Sequence, residues 1–270
     1  MLVSINWLKE LVNLNTPVKE LIAELPLKTI GTKEVTDQFV ELDMKGYNRS
    51  DLLSMRGVAY EVSALTSSNI YFSEIQESEY VWNSKNKLPE IKVTIENSKL
   101  SPFYCVAKME NIKVAKSSEE EILRLKQSGV RSVNNIADIT NMVMLEYGQP
   151  LHAFDANKVK NQEIVVRVAK SNEEITTLDG KTRKLSNSDL LIADSKKSIG
   201  VAGVMGGKDS EVTQSTTTIL LEAAIFDPVN IRRTTMALGL PSEASKRFQH
   251  GLTKKRLLQA LDAAVKMYEV

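Results

Sequence analysis

Apolar residues in the first part of the chain recur at helical and strand spacings. Residues 7–12 and 18–25 each place apolar side chains on one face of a predicted helix. Residues 35–44 alternate in part between apolar and polar, which predicts a strand, and residues 55–65 return to helical spacing. We therefore predict a small α+β domain over residues 1–77.

A polar stretch over residues 78–89 predicts a linker, and apolar runs and capping residues resume after it. The predicted strands are 91–95, 164–168, 190–193 and 219–221, and Asp179-Gly180 predicts a hairpin between Thr176 and Leu185. The predicted helices begin at Ser117 or Ser118, at Asp227-Pro228 and before Leu257. The fold class expected is α+β, with a large mixed domain of packed β-sheets and flanking helices over residues 85–270. The last helix is still running at Val270, which favours a truncated form of a longer protein.

The amino-acid composition excludes several classes of protein. The chain of 270 residues is 42% apolar and 26% charged with a net charge of +1, an ordinary globular balance that gives no global attraction to nucleic acid or membrane. No apolar run approaches the ~20 residues of a membrane span, and no signal peptide begins the chain. A single cysteine and two histidines argue against a disulfide framework and against most zinc sites. We expect a cytoplasmic protein with no membrane partner and no metal.

One histidine lies in the run from Gly148 to Asp155. Pro150 restricts the backbone there, which predicts a stiff turn that gives the His152 imidazole a fixed direction. Such a group changes charge near neutral pH and is a candidate catalytic residue. The alternative is a histidine packed between Leu151 and Phe154, and the run alone favours that interpretation.

Glu222 is a second candidate, because it stands inside the apolar run from Ile219 to Phe226. A buried carboxylate is unfavourable unless it has a partner. The residue therefore indicates either a functional site or a structural salt bridge, and the two interpretations have equal weight.

Three further segments are open to two interpretations each. Residues 200–207 hold four glycines, which would admit a ligand close to the backbone or form a tight turn. Arg131, before the polar segment 134–141, would bind a phosphate or stay solvated. The basic stretch from Arg232 to Arg256 contains Glu243 as its one acid, and fits a phosphate-binding patch or a solvated helix face.

Taken together, these segments make the chain resemble the β subunit of bacterial phenylalanyl-tRNA synthetase. The resemblance covers nearly the whole chain and rests on motifs in family order. These motifs are residues 48–54 (NRSDLLS), 131–136 (RSVNNI), 138–141 (DITN), 148–155 (GQPLHAFD), 203–207 (GVMGG), 220–222 (LLE) and 242–248 (SEASKRF). The part from Lys85 onward resembles the B3/B4 domain that edits mischarged tRNA.

The resemblance implies that this chain corresponds to only part of the family's subunit. The tRNA-binding domain usually inserted near residues 30–40 and the downstream domains that pair with the α subunit have no counterpart. The implied partners are tRNA-Phe, through its mischarged 3′ end, and the α subunit, through those missing domains. Editing is implied to need no cofactor, with ATP and Mg required only in the full synthetase, and this chain alone is not expected to make Phe-tRNA.

In the family, the editing domain hydrolyses the ester of Tyr wrongly joined to tRNA-Phe. An apolar synthetic pocket rejects an added hydroxyl by only ~100-fold, so a second site selects for that hydroxyl. The resemblance implies that Glu222 and the backbone of Gly203 receive the tyrosyl hydroxyl. It implies that the pocket wall is formed by Gly206, Ser242 and Ala244. The side of the pocket that holds the ester and the tRNA terminus is implied to be lined by Arg131, Asn141 and His152. His152 is expected to orient a water molecule rather than to act as a strong base.

An editing hydrolase is the leading hypothesis, and a non-catalytic structural or interaction module of the synthetase is the alternative. A free-standing binder of tyrosine-like molecules is a third. The chain departs from the family pattern at Ser242-Glu243, where the family has Thr-Asp, and at residues 248–250 (FQH), where it has Tyr-Glu-Arg. The second change alters contacts expected near the tRNA or a neighbouring domain.

Overall fold

The computed structural model describes residues 1–72 and 91–269. Within these ranges the chain has the predicted α+β fold, with helices and mostly antiparallel sheets. Its described residues divide into two compact units, 1–72 with 116–148 and 91–115 with 149–269. The predicted linker at 78–89 lies outside the described residues, so the domain boundary drawn there stays a prediction.

The first unit combines a three-stranded sheet with helices. Its strands are β1 (Leu2–Ser4), β2 (Thr32–Val35) and β3 (Phe39–Leu42), in the antiparallel order β1-β3-β2. Its helices are α1 (Ile5–Leu11), α2 (Val18–Lys28), α3 (Met55–Thr66), α4 (Glu119–Gln127) and α5 (Asn135–Tyr147). Side chains of Ser4, Ser54, Ser118 and Asn134 accept hydrogen bonds from backbone N–H groups in the first turns, which explains where four of these helices begin.

Residues 116–148 group with the N-terminal segment, although the sequence analysis placed them in the large domain. Ser4 Oγ donates a hydrogen bond to Gln127 Oε1 at 3.0 Å, and Arg56 Nε donates to Glu146 Oε1 at 2.8 Å. The Arg56 guanidinium also lies 4.0 Å from the ring centroid of Tyr147. These contacts join segments far apart in the chain, which periodicity does not reveal.

The second unit contains two sheets, a hairpin and helices. Its strands are β4 (Lys92–Ile95), β5 (Phe103–Met109), β6 (Leu151–Asp155), β7 (Glu163–Val168), β8 (Glu174–Thr176), β9 (Thr182–Lys184), β10 (Leu190–Ala193), β11 (Ser198–Val201), β12 (Met205–Gly206) and β13 (Ile219–Ile225). The larger sheet has the order β12-β11-β10-β7-β4, the smaller has β5-β13-β6, and β8 pairs with β9. The helices are α6 (Pro228–Ala237), α7 (Glu243–Phe248) and α8 (Lys254–Tyr268).

The two sheets share one apolar core. Phe154 and Leu220 from the smaller sheet belong to the same buried cluster as Ile164 and Leu190 from the larger sheet. Helix α8 packs against β5 and β13. Because successive strand residues point to opposite faces, Glu222 shares the face of Leu220 that contributes to this core. The register therefore directs a carboxylate towards the space between the sheets.

The structure corrects the local prediction for the segment that carries His152. Gly148 ends α5 with a left-handed backbone (φ 76°), but residues Leu151–Asp155 form strand β6. His152 therefore lies on a strand and not on a turn. Pro150 is compatible with this because it precedes the first strand residue, where no backbone N–H is required. The predicted hairpin at Asp179-Gly180 is confirmed between β8 and β9.

Candidate functional site

A pocket in the second unit lies beside the smaller sheet, with the β11–β12 turn and α7 as its other walls. Its cavity volume is about 90 Å³, enough for several water molecules. Apolar side chains and backbone form most of its lining. The pocket brings together five residues that the sequence analysis selected: His152, Gly203, Gly206, Glu222 and Ala244.

Glu222 occupies the middle of β13, opposite Val106 of β5 and His152 of β6. Its side chain is buried, and the Tyr104 hydroxyl donates a hydrogen bond to its Oε2 at 2.8 Å. Burial raises the pKa of Glu222 to about 7, and the hydrogen bond from Tyr104 acts in the opposite direction. Among the described residues Glu222 has no cationic partner, which disfavours a structural salt bridge.

The His152 imidazole packs directly on the backbone of Gly206. A Cβ at position 206 would lie 2.5 Å from His152 Cε1, so a side chain there would displace the ring. The imidazole also meets the Phe154 ring edge-on, with 4.5 Å between ring centroids. His152 Nε2 is buried and has no hydrogen-bond partner within the described part of the chain.

Burial lowers the pKa of His152 to about 4. The imidazole is therefore neutral at pH 7 and is a weak base. A general base works best when its pKa lies near the working pH. The site thus favours a histidine that orients a water molecule over one that removes its proton.

The turn between β11 and β12 forms another wall. Gly203 has a left-handed backbone (φ 65°), and a Cβ there would lie 3.0 Å from the side chains of Phe226, Ile231 and Phe248. Both the conformation and the close packing require glycine.

Ser242 supports this wall but does not line the pocket. Its Oγ accepts a hydrogen bond from Ser245 N at the start of α7 and donates one to the Val204 carbonyl at 2.8 Å. Ser242 therefore ties the first turn of α7, and with it Ala244, to the β11–β12 turn.

A family model described as the B3/4 domain matches residues 100–269. The chain belongs to the B3/4 domain family. Every residue that lines the pocket falls within this match. The resemblance inferred from the sequence motifs is thus confirmed.

Curated relatives of this B3/4 domain protein are β subunits of phenylalanine–tRNA ligase. The subunit of Staphylococcus haemolyticus is 44% identical over 85% of this chain, and that of Carboxydothermus hydrogenoformans is 43% identical over 87%. The matches cover 28% and 29% of those subunits, so the chain spans less than a third of their length. An N-terminal fragment of the Pyrococcus horikoshii β subunit is similar in structure at 17% identity and a TM-score of 0.44, covering 90% of this chain and 73% of the fragment.

Two residues selected from the sequence lie in the first compact unit. Arg131 is exposed in the segment before α5, and Asn141 lies on α5 itself. Neither lines the pocket, although the B3/4 domain match includes both. Their assignment to the ester and the tRNA terminus stays a prediction.

The neighbouring Asp138 has a structural role. It is fully buried and accepts hydrogen bonds from Ser117 Oγ at 2.6 Å, Ser132 Oγ at 2.5 Å and Val133 N at 2.9 Å. The carboxylate thereby joins α5 to the segments before α4 and α5. Asp138, the first residue of the motif at 138–141, thus has a structural role that involves no ligand.

The basic stretch does not act as one solvated surface. Arg247 is fully buried, and its Nη1 donates hydrogen bonds to Glu243 Oε2 at 2.8 Å and to the Glu243 carbonyl at 2.9 Å. Arg247 therefore belongs neither to a phosphate-binding patch nor to a solvated helix face. Arg232, Arg233, Lys254 and Lys255 remain exposed.

Sequence reasoning missed Tyr104, the hydrogen-bond donor to Glu222. The residue stands in the apolar run FYCVA of β5, where a tyrosine hydroxyl is the one strong polar group. A tyrosine in such a run indicates a polar partner nearby, because a buried tyrosine hydroxyl usually forms a hydrogen bond.

The described residues contain no group of three or more His, Cys, Asp or Glu side chains arranged to hold a metal ion. Within the same ranges, no helix combines the length and apolar character needed to cross a membrane.

Proposed function

We propose that this chain supplies the editing activity of a phenylalanine–tRNA ligase β subunit, hydrolysing the ester of tyrosine wrongly attached to tRNA-Phe. The observation that carries the proposal is the buried Glu222 carboxylate, which lies in a pocket walled by Gly203, Gly206 and Ala244. The names of the curated relatives support the ligase context.

Selection of tyrosine follows from the hydrogen-bonding needs of Glu222. When ionised, this carboxylate only accepts hydrogen bonds, and a tyrosyl hydroxyl entering the pocket supplies a donor. A phenylalanyl ring supplies none and displaces water from the carboxylate, which leaves a buried charge poorly paired. The pocket therefore disfavours the correct amino acid and accepts the wrong one.

Hydrolysis requires a positioned water and stabilisation of the developing oxyanion. His152 is neutral at pH 7 because burial lowers its pKa to about 4, and its packing on Gly206 fixes the ring. In this proposal His152 orients the attacking water. Arg131 and Asn141 keep their predicted roles at the ester and the tRNA terminus, which separate alanine substitutions would test.

The proposal also covers the partners and the setting. The tRNA substrate and the ligase α subunit are the expected partners in the assembled enzyme, and a cytoplasmic location follows from participation in tRNA charging. Editing by these residues needs no cofactor, whereas ATP and Mg belong to the synthetic reaction of the full ligase.

Deacylation of purified Tyr-tRNA-Phe tests the proposal directly. The chain is mixed with tRNA-Phe carrying radioactive tyrosine or phenylalanine, and release of the amino acid is followed over time. We expect faster release of tyrosine than of phenylalanine relative to the protein-free reaction. If tyrosine release is not accelerated by the chain or by the ligase assembled with it, the alternative of a non-catalytic module takes the place of this proposal.

A further inference from the structure

The hydroxyl of Tyr104 is the donor that holds the Glu222 carboxylate. Tyr104 lies on β5 opposite Ala224 of β13, which makes it a diagonal neighbour of Glu222 on the same face of the sheet. The small side chain of Ala224 leaves room for the phenol to extend along the strand. The hydroxyl reaches Glu222 Oε2 at 2.8 Å, with both residues buried.

No other group in the described ranges donates a hydrogen bond to Glu222. Tyr104 does not itself line the pocket, so any effect it has on a ligand acts through the carboxylate. Burial raises the pKa of Tyr104 well above its ordinary value, so the phenol stays protonated and remains a donor.

The other titratable groups near this carboxylate are either neutral or engaged elsewhere. His152 faces Glu222 from β6, and burial keeps it neutral at pH 7. Lys108 of β5 pairs with Glu110 at 2.8 Å. On helix α7, Glu243 forms ion pairs with both Lys246 and Arg247. The lining segments of β10, β11 and β12 carry no charged residue.

We propose that Tyr104 is a positioning residue of the pocket, which holds one oxygen of the Glu222 carboxylate and leaves the other oxygen to receive a tyrosyl hydroxyl. This role rests on the proposed editing function, and it explains how the pocket selects tyrosine over phenylalanine. A charge-assisted hydrogen bond to one oxygen fixes the plane of the carboxylate. It also stabilises the ionised form, in which both oxygens accept.

Removing the hydroxyl changes the pH at which the pocket recognises tyrosine. In Tyr104→Phe the ring stays but the donor is lost, so the carboxyl group holds its proton to higher pH. The pH midpoint for tyrosine preference then moves above that of wild type, in which burial raises the pKa of Glu222 to about 7. At pH 7 the preference for tyrosyl over phenylalanyl ester falls by at least about tenfold, as expected for loss of a hydrogen bond to a charged group.

The experiment measures single-turnover deacylation rates of Tyr-tRNA-Phe and Phe-tRNA-Phe between about pH 6 and pH 8.5. The ratio of the two rates, plotted against pH, gives the midpoint for tyrosine preference. Tyr104→Phe is compared with wild type and with Tyr71→Phe, which removes an exposed hydroxyl from the other compact unit. A second protein carries 3-fluorotyrosine at position 104, which keeps the shape of the ring and strengthens the donor. We expect the midpoint to rise in Tyr104→Phe, to fall with 3-fluorotyrosine and to stay unchanged in Tyr71→Phe.

The outcomes separate the two proposals. A tyrosine preference in wild type with the same midpoint in both position-104 proteins overturns the role of Tyr104 and leaves editing intact. An equal loss of both deacylation rates at every pH also overturns it, since that is the signature of a purely structural residue. Absence of tyrosine preference in wild type overturns editing, and the role of Tyr104 with it. If Tyr104→Phe fails to fold, the downward shift with 3-fluorotyrosine decides alone.

Discussion

Replacing Glu222 with glutamine removes a buried charge from an apolar strand, and the pH dependence of stability reports that charge. Burial raises the pKa of Glu222 from an ordinary 4.5 to about 7, so the folded state binds the proton more tightly than the unfolded state. Stability therefore falls as the pH rises through this interval. Above pH 7 the ionised carboxylate lowers the free energy of unfolding by about 3 kcal/mol.

Glutamine does not titrate, and its amide oxygen still accepts a hydrogen bond from Tyr104. We expect the stability of Glu222→Gln relative to wild type to be about 3 kcal/mol more favourable at pH 8 than near pH 4.5. The titration of His152 affects wild type and variant alike and largely cancels in this difference. The same variant should lose most of its tyrosine preference in deacylation, because an amide offers a weaker acceptor than a carboxylate.

Urea unfolding at several pH values measures this difference by linear extrapolation. Glu174→Gln makes the same exchange at an exposed position of β8 and serves as the matched control. A stability difference between Glu222→Gln and wild type that does not change with pH would refute the argument. It would mean that folding does not hinder ionisation of Glu222.

Other changes test the remaining parts of the site and the fold. Ala244→Trp should fill the pocket and lower tyrosyl-ester hydrolysis by at least about tenfold with little change in Tm, whereas Ala237→Trp, on an exposed position of α6, should do neither. Gly206→Ala should push the His152 ring aside, which lowers the hydrolysis rate and costs about 1–3 kcal/mol in urea unfolding. On acidification from pH 6.5 to pH 4, wild type should lose about 3 kcal/mol of stability relative to His152→Phe, because burial lowers the pKa of His152 to about 4 while Glu222 titrates in both proteins. Asp138→Ala should cost roughly 3 kcal/mol in calorimetry, since three donors lose their acceptor, and a loss below about 0.5 kcal/mol would contradict its structural role.

The sequence was sufficient to predict those elements whose cause is local. Helical spacing placed α1, α3 and α8, and Asp179-Gly180 placed the β8–β9 hairpin. Glu222 was conspicuous because its neighbours are all apolar. In each case the deciding interactions lie within a few residues along the chain, so periodicity and turn chemistry report them.

The remaining features depend on pairings across long stretches of chain. The bond from Tyr104 to Glu222 joins residues 118 positions apart, and no spacing rule anticipates it. The strand geometry of His152 depends on pairing between β6 and β13, which replaced the turn suggested by Pro150. The need for glycine at position 206 becomes clear only once the His152 ring is packed against it.

The opposite pKa shifts of Glu222 and His152 constrain how the pocket works. The two residues are directly opposite one another on neighbouring strands, and an ion pair between them would lower the pKa of the acid and raise that of the base. The structure gives the opposite shifts: the pKa of Glu222 is raised to about 7 and the pKa of His152 is lowered to about 4, because burial is the largest influence on both. Between these values both groups are neutral, and above pH 7 the pocket gains one negative charge that His152 does not neutralise. A hydroxyl donor from the ligand then compensates this charge. The ionised Glu222 thus lowers the stability of the fold, and the same charge makes the pocket select a ligand with a hydroxyl.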